Sequence, residues 1–138
     1  IQGDEPLIKA EMIDSAIRSL IENKNVLVST LATNFESETE RNNPNSVKVI
    51  LDKNNYAIYF SRLPLHSSLK HIGLYVYRKK FLLKFAQMKQ TPLELAEKLE
   101  QLRILENGYK IYVAKTKHKT IGVDTKSDLE KVKIWLRK

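Results

Sequence analysis

Strand-like runs alternate along this chain with segments of helical periodicity, and this alternation constrains the possible folds most. Five short runs are rich in β-branched and aromatic residues, as strands are: 26–32, 47–51, 56–61, 72–77 and 109–114. Apolar side chains recur at helical spacing over residues 9–23 and 81–88. The turn-forming residues 52–55 separate two of the strands and predict a hairpin. We therefore predict one α/β domain over residues 1–138, with helices packed on a mixed sheet.

Two further helices are predicted from their starting residues. Thr91-Pro92-Leu93-Glu94 combines a capping box with proline at the first helical position, and Gly108 can end the helix. Its apolar stripe is Leu95, Leu99 and Leu102. Thr125 and Asp128 form a second capping box. The predicted buried face of that helix is Leu129, Val132, Trp135 and Leu136. Residues 33–46 hold few apolar side chains and are expected to form a mobile loop.

Composition narrows the function classes. The 138 residues carry a net charge of +8, which suits a solvated surface, anionic small ligands or nucleic acid. The lysines are scattered without a run of five, even in the dense stretch 109–119, so nucleic acid is disfavoured. The absence of cysteine excludes disulfides and thiolate chemistry and fits a cytoplasmic location. No apolar run approaches the ~20 residues that a membrane span requires.

Two aspartates stand where a metal ion could be held. Asp4 and Asp124 each precede a predicted helix, and hard cations such as Mg²⁺ take carboxylate oxygens together with substrate phosphates. Either aspartate alone is better explained by helix capping or by a favourable interaction with the helix dipole. Together they could share one or two metal ions. The three histidines, His66, His71 and His118, have no metal-site spacing, and no nucleophile elbow or phosphate-binding glycine loop is present.

Several segments together resemble one family, the 3-deoxy-manno-octulosonate cytidylyltransferases, also called CMP-KDO synthetases. The resemblance covers nearly the whole chain, and its segments occur in the family's order. They are Gln2-Gly3-Asp4-Glu5-Pro6-Leu7-Ile8, residues 43–52, residues 57–62, residues 71–78, Pro92-Leu93-Glu94, residues 97–103 and Gly122-Val123-Asp124-Thr125.

The resemblance implies a Rossmann-like mixed sheet of the nucleotide-diphospho-sugar transferase type. It also implies a homodimeric cytoplasmic enzyme of lipopolysaccharide biosynthesis, which makes CMP-KDO and pyrophosphate from CTP and 3-deoxy-manno-octulosonate (KDO) with Mg²⁺. The metal ligands implied are Asp4 and Asp124, and Gln2 is implied beside the nucleotide. The residues implied to contact the sugar acid are Arg62, His71, Tyr75, Glu100 and Gln101. Arg62 is also implied in catalysis, since a guanidinium can bind the sugar carboxylate through two parallel hydrogen bonds.

Two departures from the family pattern bear on these expectations. The family's opening strand and basic phosphate-binding loop have no counterpart here, so we expect a portion truncated at its N-terminus that does not make CMP-KDO unaided. Residues 63–70 are also shorter than the family's segment, which bears on the site and on the dimer. The alternatives are an inactive remnant of the same fold and a small basic RNA-binding module; the second is disfavoured because aromatic and basic residues do not form a stacking platform.

Overall fold

The structure is a computed structural model that describes residues 1–137. Its five strands are β1 (Val28–Thr33), β2 (Lys48–Leu51), β3 (Ala57–Ser61), β4 (Leu69–Tyr77) and β5 (Tyr112–Lys115). Its six helices are α1 (Ala10–Glu22), α2 (Glu38–Asn42), α3 (Lys79–Ala86), α4 (Pro92–Glu97), α5 (Leu102–Glu106) and α6 (Lys126–Leu136). Over this part of the chain, none of the helices is both long and apolar enough to cross a bilayer.

The strands form one mixed sheet in the order β3-β2-β4-β1-β5. β1 runs parallel to β5, whereas the pairs β1–β4, β2–β4 and β2–β3 are antiparallel. The predicted α/β fold with a mixed sheet and one hairpin is confirmed. α1 packs on one face around Met12, Ala16 and Leu31. α3 and α5 cover the other face, where Phe60 and Phe85 belong to the larger core cluster.

A bulge in β4 shapes the middle of the sheet. Thr30 pairs with Tyr75, but the next residue of β1, Leu31, pairs with Ile72. Two β4 residues, Gly73 and Leu74, are therefore left out of the regular pairing. Bulges free main-chain groups for other partners and often lie beside active sites. Here the bulge exposes the peptide of Gly73 to the segment that begins the chain.

The helix predicted between Thr91 and Gly108 is interrupted. Its first half is α4, with the predicted capping box at Thr91. The helix ends because Lys98 adopts a left-handed conformation with φ of 55°, and α5 begins four residues later. The single apolar stripe was therefore wrong at Leu95, which is 58% exposed, whereas Leu99 and Leu102 are buried.

Two other local predictions need correction. α6 begins at its predicted capping box, but only Val132 is buried, and Leu129, Trp135 and Leu136 are exposed. The predicted buried face of this helix is therefore wrong except at Val132. The expected loop 33–46 contains α2, which begins because the Ser37 hydroxyl accepts a hydrogen bond from the Glu40 N–H.

Candidate active site

A single large cleft collects the residues singled out in the sequence. It has a volume of about 1680 Å³ and extends from the β4 bulge to the start of α6. Its lining includes all eight predicted site residues: Gln2, Asp4, Arg62, His71, Tyr75, Glu100, Gln101 and Asp124. These residues come from five separate segments of the chain. Their convergence on one concave surface is what a ligand site requires.

The first segment is held in the cleft by the β4 bulge. The Gln2 N–H donates to the Gly73 carbonyl at 2.9 Å, and the Gly73 N–H donates to Glu5 Oε1 at 3.2 Å. The Gln2 side chain lies directly over Gly73, because a β-carbon built there would be 2.0 Å from Gln2 Oε1. Glycine at this position thus fixes the place of Gln2 at the edge of the cleft.

Asp4 and Asp124 are neighbours on one side of the cleft. The Val123 N–H donates to the Asp4 carbonyl at 2.8 Å, which joins the two segments directly. Burial raises the pKa of Asp124, and the negative charges of Asp4 and Asp128 raise it further, against the opposing charge of Arg62. Two carboxylates that repel each other in this way fit a shared cation.

Neither aspartate directly follows a strand of the sheet. Asp4 lies in a turn held by the bulge, and Asp124 comes nine residues after β5 ends, in an irregular segment. Neither segment forms ladder pairs in the part of the chain described. Within residues 1–137, no group of three or more His, Cys, Asp or Glu side chains is arranged to hold a metal ion. The available protein donor set is therefore this pair of carboxylates.

Arg62 lies at the end of β3 with its guanidinium against main-chain oxygens. Nε donates to the Glu97 carbonyl at 3.2 Å and Nη1 to the Pro44 carbonyl at 3.3 Å, and Nη2 lies 3.5 Å from the Lys98 carbonyl. Among residues 1–137 it forms no salt bridge. A guanidinium held by neutral acceptors at the wall of a cleft keeps its charge for an anionic ligand.

The hydrogen bonds of Thr30 determine the tautomer of His71. The Thr30 hydroxyl donates its one hydrogen to the Leu74 carbonyl at 2.7 Å, so its oxygen must accept from His71 Nε2 at 2.9 Å. His71 therefore carries its proton on Nε2 and keeps Nδ1 as an acceptor. Burial lowers the pKa of His71 to about 3, so the ring stays neutral at ordinary pH.

The other residues predicted to contact the sugar acid are Tyr75, which packs beside His71, and Glu100 and Gln101, which line the cleft. The Tyr75 ring lies 5.4 Å from the His71 ring, and its buried hydroxyl has no hydrogen-bond partner within residues 1–137. Burial raises the pKa of Tyr75, so the hydroxyl remains a donor. Glu100 and Gln101 face the cleft because the left-handed residue Lys98 turns the chain between α4 and α5.

Sequence reasoning missed several residues that support these side chains. Lys48 is fully buried, and its ammonium donates to the Asn43 carbonyl at 2.6 Å and the Arg62 carbonyl at 2.9 Å. Burial and then the charge of Arg62 lower the pKa of Lys48. The only signal in the sequence was a lysine inside an otherwise apolar strand. Thr30 carried no signal, and Glu97 carried none beyond its place in the family-like segment 97–103, because their partners lie far away in the chain.

Comparison with known proteins identifies the family that this arrangement belongs to. Residues 1–111 match the family described as cytidylyltransferase. The chain belongs to the cytidylyltransferase family. A 3-deoxy-manno-octulosonate cytidylyltransferase from Geotalea uraniireducens is 50% identical over 157 aligned residues. The alignment covers 100% of this chain and 62% of the relative. The predicted resemblance to that family is therefore confirmed. One from Fusobacterium nucleatum is 51% identical over 140 residues, 96% of this chain and 57% of the relative.

A solved structure extends this result to the fold. CMP:2-keto-3-deoxy-manno-octonic acid synthetase complexed with CTP superposes with a TM-score of 0.90 at 34% identity, over 99% of this chain and 60% of that protein. The fold of this cytidylyltransferase chain is thus the predicted Rossmann-like nucleotide-diphospho-sugar transferase type. The chain spans about three-fifths of the length of the relatives it matches.

Proposed function

We propose that this chain carries the sugar-acid site and the metal-binding aspartates of an enzyme that makes CMP-KDO. The anomeric hydroxyl oxygen of KDO attacks the α-phosphorus of CTP, the bond from that phosphorus to the bridging oxygen breaks, and pyrophosphate leaves. The hydroxyl proton passes to solvent. The observation that carries the proposal is the convergence in one cleft of all eight residues of the family pattern.

The sugar acid is assigned to the side of the cleft formed by β3, β4 and the α4–α5 turn. Arg62 is the only one of the five proposed contacts with a positive charge at ordinary pH, so it receives the carboxylate of KDO. His71 Nδ1 accepts from a sugar hydroxyl, and the Tyr75 hydroxyl donates to a sugar oxygen. Glu100 and Gln101 supply further polar groups at the end of the ring. This set combines one positive charge with hydrogen-bond donors and acceptors, as a polyhydroxylated acid requires.

The nucleotide and its metal are assigned to the opposite side. Asp4 and Asp124 fit Mg²⁺, because this ion uses one or two carboxylates and completes its shell with substrate phosphates and water. When bound, the ion supplies screening of the phosphate charge. Burial and then the charges of Asp4 and Asp128 raise the pKa of Asp124, and a bound cation would oppose that repulsion. Gln2, fixed over Gly73, lies beside the nucleotide.

The test is pyrophosphate release from CTP, KDO and Mg²⁺ by a fusion that joins this chain to the preceding segment of the Geotalea uraniireducens relative. We expect turnover that falls by at least about 10²-fold in Asp124→Asn. Arg62→Ala should raise the KM for KDO and leave the KM for CTP nearly unchanged. Lys53→Ala, in the exposed β2–β3 turn, is the matched surface control. A folded fusion without turnover would favour an inactive remnant of the fold.

We also infer the family's wider setting for the chain: a cytoplasmic homodimer that serves lipopolysaccharide biosynthesis and binds neither nucleic acid nor membranes. The exposed apolar side chains of α6 support a contact with further protein. The scattered lysines support only weak nucleic-acid binding that is lost at moderate salt. Light scattering after size exclusion tests the dimer. Tight, salt-resistant binding of RNA in a filter assay would contradict the enzyme proposal.

A further inference from the structure

Glu97, the last residue of α4, makes an unusual set of contacts behind the cleft. Its Oε1 accepts from the Tyr59 hydroxyl at 3.1 Å and the Ser61 hydroxyl at 3.0 Å, and its Oε2 accepts from the Arg62 N–H at 3.0 Å. All three donors belong to the end of β3. Glu97 itself does not line the cleft. Its carboxylate therefore acts on the cleft only through its neighbours.

The same residue also contacts the Arg62 side chain. The main-chain carbonyl of Glu97 accepts from Arg62 Nε at 3.2 Å. Glu97 thus bonds both the peptide N–H and the guanidinium of Arg62, which fixes the two ends of that residue relative to each other. Within residues 1–137 the carboxylate forms no salt bridge, so its hydrogen-bonding capacity is used on these neutral donors rather than on a cation.

The donors around Glu97 are suited to a carboxylate acceptor. Burial raises the pKa of Tyr59, and the hydrogen bond and negative charge of Glu97 raise it further. The Tyr59 hydroxyl therefore stays protonated and keeps donating. A carboxylate that accepts several hydrogen bonds holds them more strongly than a neutral acceptor does. These hydrogen bonds therefore hold the end of α4 rigidly against the end of β3.

Lys48 holds the other main-chain polar group of Arg62. Its ammonium donates to the Arg62 carbonyl at 2.9 Å, while Glu97 accepts from the Arg62 N–H. The ammonium also donates to the Asn43 carbonyl, next to Pro44, whose own carbonyl accepts from the guanidinium. The backbone of Arg62 is therefore fixed on both sides by buried or half-buried charged groups.

We infer that Glu97 is the positioning residue that presents the Arg62 guanidinium to the carboxylate of the sugar acid. The inference rests on the proposed function, since it assigns Arg62 its ligand. Fixing the peptide and Nε in advance leaves fewer side-chain rotations to be lost when the anion binds. It also keeps the guanidinium in place at the wall of the cleft, where small displacements of a binding group are costly.

The test is KDO binding to the 138-residue chain by isothermal titration calorimetry, with Glu97→Gln as the main variant. Glutamine keeps the size and one oxygen acceptor but cannot accept all three hydrogen bonds. We expect the Kd for KDO to rise about tenfold. Glu97→Asp keeps the carboxylate but shortens the side chain by one methylene, so it should raise the Kd for KDO less. This variant replaces Glu97→Gln in the test if Glu97→Gln does not fold.

The matched control is Glu106→Gln. Glu106 Oε2 also accepts main-chain N–H groups of α4, from Leu93 at 3.0 Å and Glu94 at 3.4 Å, but it does not contact Arg62. Glu106→Gln should leave the Kd for KDO within about twofold. A loss of KDO affinity as large in Glu106→Gln as in Glu97→Gln would reduce Glu97 to general support of α4 and overturn the inference.

The decisive comparison is the double variant Arg62→Ala/Glu97→Gln. If Glu97 acts through Arg62, the double variant should bind KDO no more weakly than Arg62→Ala alone, because the two effects are coupled. Additive losses would overturn the positioning role. If Arg62→Ala weakens KDO binding and Glu97→Gln does not, only the inference fails. If Arg62→Ala itself has no effect, the sugar-acid assignment fails together with it.

Discussion

The two sides of the cleft are held in different ways. On the sheet side, which carries Arg62 and His71, each functional group rests on a buried partner: Lys48 and Thr30 are both fully buried. On the aspartate side, one main-chain hydrogen bond joins the segment of Asp4 to that of Asp124. Another joins the segment of Asp4 to Gly73. The adjoining helix α6 buries only Val132.

This difference teaches which part of the site is ready before a ligand arrives. The sheet side has its tautomer, its charge and its side-chain directions fixed by packing, as recognition of a sugar acid requires. The aspartate side presents two mutually repelling carboxylates on thinly packed segments, which a cation between them would stabilise. Each of the following predictions either breaks or sharpens this contrast.

The largest expected effect is on stability, at the pair that joins α4 to α5 behind the sheet side. Arg103 Nε donates to Glu94 Oε2 at 2.7 Å, and both side chains are largely buried. The paired guanidinium lowers the pKa of Glu94. Glu94→Ala leaves Arg103 unpaired and should lower the free energy of unfolding by about 3–5 kcal/mol. Urea unfolding followed by circular dichroism measures it.

The matched control lies on the aspartate side. Lys131 pairs with Asp128 at 3.0 Å, but its side chain is 59% exposed. Lys131→Ala should change the free energy of unfolding by no more than about 0.5 kcal/mol. Equal losses for Glu94→Ala and Lys131→Ala would remove the contrast in packing between the two sides.

The next effect concerns pH, through buried His71. The folded-state pKa of about 3 lies below the ordinary value of 6.5, so the unfolded chain takes up a proton first as the pH falls. The stability that the neutral ring contributes is complete above pH 6.5 and is lost between pH 6.5 and 3. At pH 5 the loss should be about 2 kcal/mol.

Chemical denaturation of the wild type and of His71→Gln at pH 7 and pH 5 isolates this contribution. The variant should lose less stability between the two pH values than the wild type does. Equal pH dependence in both proteins would mean that His71 is not held neutral, and would remove the assigned tautomer from the site.

The last effect concerns Gly73 of β4, which bears on the aspartate side through Gln2. A β-carbon here would displace the exposed Gln2 side chain, while the Gln2 N–H can stay bonded to the Gly73 carbonyl. Gly73→Ala should therefore cost less than about 1 kcal/mol of stability. In the fusion described above it should raise the KM for CTP more than that for KDO, because Gln2 is displaced. A rise confined to KDO would place Gln2 on the wrong side of the cleft.

Local patterns were sufficient to predict most elements of this fold. Capping boxes at Thr91 and Thr125 and alternation in the strands are short-range signals, and the helices and strands formed where these signals lay. The interruption at Lys98 was not predictable from the local pattern, because the Arg62 side chain that meets its carbonyl lies 36 residues away in the chain. The exposed face of α6 was missed because periodicity does not reveal what a helix packs against.

The residues of the site also differ in how far the sequence could predict them. The eight candidate residues came from the resemblance to a family, since neither spacing nor composition brings Arg62 near Asp124. The supporting residues Lys48, Thr30 and Glu97 act through distant main-chain carbonyls and N–H groups. Such partners leave no mark in the sequence, so only the structure could reveal them.

The most direct measurement is calorimetric titration of this chain with KDO in the absence of CTP, comparing Arg62→Ala with Asp124→Asn. Arg62→Ala should weaken binding by about 2–4 kcal/mol, the cost of a lost charge-assisted contact. Asp124→Asn should leave KDO affinity within a few-fold, because this carboxylate belongs to the nucleotide side. Unchanged binding in Arg62→Ala, or an equal loss in Asp124→Asn, would contradict the division of the cleft into a sugar-acid side and an aspartate side.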